Sequence, residues 1–141
     1  MITALSPALS TRSEIIKALQ EDPALIELGV SVYPGKLPNK PQRPFILVPT
    51  PQGRSTHHDG TAGGSDMSGV IHVFTERSQG VPDAEAAAGE INAHVVRILD
   101  GFDVVLDDVA VSVQPTLDQV IRDGSEADAW HGLVNYDASA T

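Results

Sequence analysis

The chain of 141 residues contains no cysteine, which removes disulfides, thiolate nucleophiles and thiolate zinc sites together. Packing or assembly must hold the fold instead. Aromatic side chains are scarce, with one tryptophan, two tyrosines and three phenylalanines, so ring anchors are few enough to be followed individually. Basic residues are scarce too: nine Lys and Arg stand against nineteen Asp and Glu, for a formal net charge of −10. Such a surface does not hold DNA, because affinity for nucleic acid comes chiefly from Lys and Arg displacing counterions. Long apolar runs are missing as well. The longest, such as Phe45 to Val48, fall far short of a bilayer span, and Met1 to Leu9 carries neither a basic start nor a long apolar stretch. No membrane segment or leader is expected.

What is present is an ordinary globular balance, 41% apolar and 20% charged. A compact chain of this length buries roughly 70% of its unfolded surface around one core, so a single domain over 1–141 is expected. The ten prolines and twelve glycines then belong to turns and loops. Charge is unevenly spread. Residues 28 to 58 hold Lys36, Lys40, Arg43 and Arg54 with no acid, while 100 to 141 hold nine acids against Arg122 alone. That polarity suits docking between unlike faces.

Thr11 to Glu14 has the S/T-x-x-E form of a capping box, and Ile15, Ile16 and Leu19 follow at helical spacing up to Pro23. Ser6-Pro7 offers an alternative start one turn earlier, with Leu9 extending the stripe. A short apolar turn, Ala24 to Leu28, leads through Gly29 into a strand containing Val30, Val32 and Tyr33 and closed by Pro34-Gly35. Phe45 to Val48, bracketed by prolines, reads as a buried strand, and Met67 to Thr75 as another. Between them, Thr50 to Asp66 is rich in Gly, Ser and Thr and reads as a flexible loop. The clearest helix begins at Pro82-Asp83, with Ala84, Ala88, Ile91, Val95 and Ile98 on one stripe before Gly101. Phe102 to Leu106 and Val109 to Gln114 read as strands about an Asp107-Asp108 turn, Pro115 as an edge or bulge, and Leu117 to Arg122 with Trp130 to Asp137 as a closing hairpin. The order predicts an α+β fold: a mostly antiparallel sheet with two helices packed on it.

No reactive constellation emerges. Between Gly29 and Gly35 lie five residues instead of the four of a P-loop, and Leu37 stands where a magnesium-binding Ser or Thr is needed. His57, His58 and Asp59 form the most metal-like cluster, yet adjacent residues diverge on regular backbone, which favours a solvated loop tip over a small metal-dependent hydrolase. His72 and His94 read as satisfied or half-buried side chains, Asp107 and Asp108 as turn residues. Trp130, on the same strand face as Tyr136, reads either as a core anchor or as a subunit-interface anchor. No catalytic, cofactor-binding or metal residue is expected. The interface candidates are Lys36, Lys40, Arg43, Arg54, His57, His58, Asp59 and Trp130.

Taken in order, these elements carry a resemblance: a helix of the type in Ile15 to Leu28, the turn Val32-Tyr33-Pro34-Gly35-Lys36-Leu37-Pro38, the strands Pro44-Phe45-Ile46-Leu47-Val48 and Ile71-His72-Val73, an Ala-rich helix, and the closing His131-Gly132-Leu133-Val134-Asn135-Tyr136. From Ser10 to Ala138 the chain resembles the tail-completion, or tail-terminator, family of long-tailed bacteriophages and gene-transfer agents. Pro115 and the glycine-rich 50–66 loop depart from the pattern. The resemblance implies a structural virion protein, made in the host bacterial cytoplasm and placed at the head-proximal end of the tail. It implies a homo-oligomeric ring, six-fold in the relatives, that caps the tail tube, ends its polymerisation and offers the head's connector or stopper protein a docking surface. DNA would pass through its lumen without specific binding, and no cofactor is implied. Another neck component, a stopper or adaptor, would share size and acidity and differ in partner.

Overall fold

A computed structural model describes residues 7–55, 65–106, 109–124 and 128–140. Helix α1 (Pro7–Glu21) is followed by a short α2 (Pro23–Glu27), strands β1 (Ser31–Pro34), β2 (Phe45–Val48), β3 (Gln52–Ser55) and β4 (Ser65–Glu76), helix α3 (Ala84–Leu99), and strands β5 (Phe102–Leu106), β6 (Val109–Arg122) and β7 (Ala129–Ala140). The expected α+β class holds, with a third, five-residue helix where the sequence suggested only a turn. Asp22 makes that helix: its carboxylate accepts from Leu25 N at 3.2 Å, and Pro23 supplies the first helical φ.

The strands form one sheet in the order β1-β2-β4-β7-β6-β5, with β3 paired to the N-terminal part of β4. Only β1 and β2 run parallel; the remaining pairs are antiparallel. The central ladder is long, because β4 pairs with β7 from Asp66–Ser139 to Glu76–Ala129. Two expectations are corrected here. Val109–Gln114 and Leu117–Arg122 are one strand, its register shifting between Pro115 and Leu117, since a proline can be carried in a ladder at a bulge. The supposed loop from Thr50 to Asp66 begins and ends as a hairpin, with Gln52–Ser55 lying against Ser65–Ser68; pairing to a long neighbour outweighs weak local strand preference. The Asp107-Asp108 turn lies outside the described residues.

The helices cover one face of the sheet. On α3, Ala84, Ala88, Ile91, Val95 and Leu99 are buried, with Ile98 only partly so, since the stripe closes on the i+4 step from Val95. On α1 the inward stripe is Ala8, Thr11, Ile15 and Leu19, while Leu9 is 44% exposed. Helix α1 therefore includes Pro7, and Thr11 lies inside it, its hydroxyl buried without a hydrogen-bond partner. Opposite these stripes lie Ile46, Val48, Met67, Ile71, Val73, Val111, Val113, Val134 and Tyr136. Each large side chain buried in this way contributes about 1.5–3 kcal/mol. Thr75 Oγ1 ties β4 to the start of α3 by donating to Ala84 O at 2.7 Å, and Asn92 Nδ2 ties α3 to β6 by donating to Gln119 O at 3.0 Å.

Tyr136 fixes the middle of the core. It lies opposite Gly69 in the β4–β7 ladder, and its ring fills the space above that glycine. A Cβ at position 69 would sit 2.6 Å from Tyr136 Cζ. Burial raises the phenol pKa to about 12, and the hydroxyl has no hydrogen-bond partner. Gly69→Ala is therefore expected to destabilise the fold by about 1–3 kcal/mol through overpacking. Tyr136→Phe should change stability by less than about 1 kcal/mol, because no bond is lost. Denaturant titration of both variants checks the pair of expectations.

Candidate assembly surface

The second face of the sheet carries no helix among the described residues. Strand alternation sends Phe45 and Leu47 of β2, His72 and Phe74 of β4, His131 and Leu133 of β7, and Ile121 of β6 to that side, and the register places them side by side. Rings run across it in a row. Tyr33 meets Phe45 edge-on at 5.9 Å, Phe45 stacks on Phe74 at 4.9 Å, and Phe74 stacks on the His131 ring at 4.3 Å. His72 Nδ1 and His131 Nε2 then lie 2.9 Å apart, one donating to the other. Beyond this row the apolar surface continues into water, with Ile121 45% and Leu117 57% exposed.

Arg43 packs on the middle of the row. Its guanidinium lies 5.5 Å from the centre of the Phe74 ring, pairs with Asp123 at 2.9 Å and donates to Thr75 O at 3.2 Å. The loop between β1 and β2 is thereby tied to the β6–β7 turn. A cation held on three partners organises its own subunit, and Arg43 remains partly exposed while it does so. Lys36 and Lys40, earlier in the same loop, are exposed. Arg54 lies on β3 opposite Asp66. His57, His58 and Asp59 lie outside the described residues. Trp130 is half-buried at the start of β7; its Nε1 donates to Asp128 at 2.8 Å and Arg122 lies 5.7 Å from its ring. Tyr136, not Trp130, is the aromatic anchor of the core.

The histidine pair was the surface feature that sequence reasoning missed. His72 and His131 are 59 positions apart, and only the strand register brings them together. Two imidazoles can bind a metal ion only with further donors. Among the described residues no group of three or more His, Cys, Asp or Glu is placed to do so, and no helix is long and apolar enough to cross a membrane.

Comparison with known proteins agrees with the fold. The family model described as tail completion protein gp17 matches residues 13–140. Among solved structures, a chain from the "Virion of native gene transfer agent (GTA) particle" is similar with a TM-score of 0.76 over 96% of this chain and 98% of that one, at 20% identity. At that identity the likeness is one of fold. No curated protein sequence matches.

Both imidazoles are held below the ordinary histidine value of 6.5. For His72 the causes are burial and then the neighbouring His131; for His131 burial dominates, Asp123 opposes it and Arg43 reinforces it. The folded chain thus binds fewer protons here than the unfolded chain, so this contribution to stability is complete above about pH 6.5 and is lost as pH falls through the lowered values. Melting temperature is expected to drop between pH 7 and pH 5, and to drop less in His131→Gln. Equal slopes for the two proteins would contradict the assignment.

Proposed function

This chain belongs to the tail completion protein gp17 family, and from that premise we propose that it is the terminator of a bacteriophage-type tail. It is a structural tail protein. In the reading advanced here its copies close into a ring, six-fold as the resemblance implies, on the head-proximal end of the tube. The ring stops tube growth and gives the head's connector a surface to dock on. The observation that carries the reading is the helix-free face of the sheet. A chain whose core is already closed by its helices keeps Leu117 and Ile121 exposed beside a locked row of rings, and a rigid apolar surface of that kind marks a protein contact. The tube end is the partner we assign to it.

The charge supports the same reading. At −10 per copy a ring lumen repels phosphates, so duplex DNA passes without being held. A closed ring needs two different complementary surfaces on each copy, and an acid-free 28–58 segment in a chain otherwise rich in acids is of the kind that supplies one of them.

Tube protein polymerised with and without the purified chain tests the proposal. The chain is expected to arrest elongation at one end, and Leu117→Asp with Ile121→Asp to weaken arrest by tenfold or more, the effect of losing roughly 1.4 kcal/mol of contact energy, while melting near the parent temperature. Unchanged tube growth in the presence of folded chain would reject the terminator role.

A further inference from the structure

A cleft of about 260 Å³ opens between the turn after α2, Pro44 at the start of β2 and the N-terminal half of α3. Leu28, Pro44, Val81 and Pro82 give it an apolar lining, and Leu28 is 38% exposed there. Two exposed carboxylates, Asp83 and Glu90, stand on its α3 side. Asp83 caps α3 by accepting from Ala86 N at 3.0 Å, and Glu90 has no such structural duty among the described residues.

Copies that each carry −10 repel one another. Any contact between them must therefore set cations of one copy against acids of the next. The large apolar side chains exposed among the described residues are Leu9, Ile26, Leu28, Leu37, Val105, Leu117 and Ile121. Of these, Leu37 alone stands between two lysines, Lys36 and Lys40, in a segment without an acid. Its loop carries Pro38 and Pro41 and is bounded by Pro34 and Pro44. Proline fixes φ at each of these positions, so ordering the loop at a contact sacrifices little entropy.

We propose that the β1–β2 loop of one copy docks in this cleft of the next, with Leu37 and Pro38 on the apolar lining and Lys36 and Lys40 facing Asp83 and Glu90. The occupant is a second copy of this chain. The contact is heterologous, joining a loop to a cleft, and so can propagate around a ring. This inference rests on the ring reading above, to which it adds the residues of the subunit contact.

The absence of cysteine makes the test clean. Leu37→Cys and Ala87→Cys, the latter on the cleft wall, are made as separate proteins, checked for parental melting, mixed with tube protein and oxidised. A disulfide joining the two different variants is expected in the assembled fraction, and the double variant should yield covalent oligomers larger than a dimer. Lys36→Glu with Lys40→Glu should weaken association about tenfold, and adding Glu90→Lys should recover most of that loss, as coupled charge pairs do. Assembly without the mixed disulfide and without charge rescue would overturn this contact and leave the ring standing. A chain that stays monomeric both on and off the tube would overturn both.

Discussion

A sheet has two faces, and three helices on one side can finish only one of them. Here the helical face is closed by aliphatic side chains around Tyr136, which lies over Gly69 and leaves no room for a Cβ there. The other face must be stabilised with what strands and loops provide. It is built from rings, from Tyr33 through Phe45, Phe74 and His131 to His72, and Arg43 ties the row to the β6–β7 turn through Asp123. Antiparallel sheets commonly leave one face in water with polar residues alternating outward. In this chain Leu117 and Ile121 stand exposed on that face beside polar residues such as Gln119 and Asn135, and these two carry the contact proposed above.

Two surfaces of the molecule are then proposed to meet different partners. The ring-lined sheet face is held by ladders up to eleven paired positions long, which suits a preformed partner such as the rim of a tube. In the proposed assembly the cationic β1–β2 loop of one copy meets the carboxylates beside α3 of the next, head to tail. The net charge of −10 disfavours phosphate binding, and in that assembly it gives the few lysines their weight. A histidine pair within the sheet face makes its stability fall on acidification, because burial first, and then the neighbouring His131 for His72 and Arg43 for His131, disfavour protonation.

Much of this was legible in the sequence where local pattern and tertiary demand coincide. The Ala84–Leu99 stripe, the proline-bounded Phe45–Val48 strand and the bulge at Pro115 each follow from periodicity or from what proline permits. The β3–β4 hairpin was hidden, because Gln52–Ser55 is a strand through its pairing partner and not through its own composition. The surface was hidden for a related reason. Phe45, Phe74 and His131 meet only in one register, and nothing along the chain marks that register. The ion pair of Arg43 was hidden as well, because its acid, Asp123, lies 80 positions away and is brought to it only by the fold.

Imaging assembled particles with a label fused to this chain tests the central claim most directly. The account predicts one closed ring of labelled density between the end of the tail tube and the head. Label spread along the tube, or found on the capsid away from the tail, would contradict it.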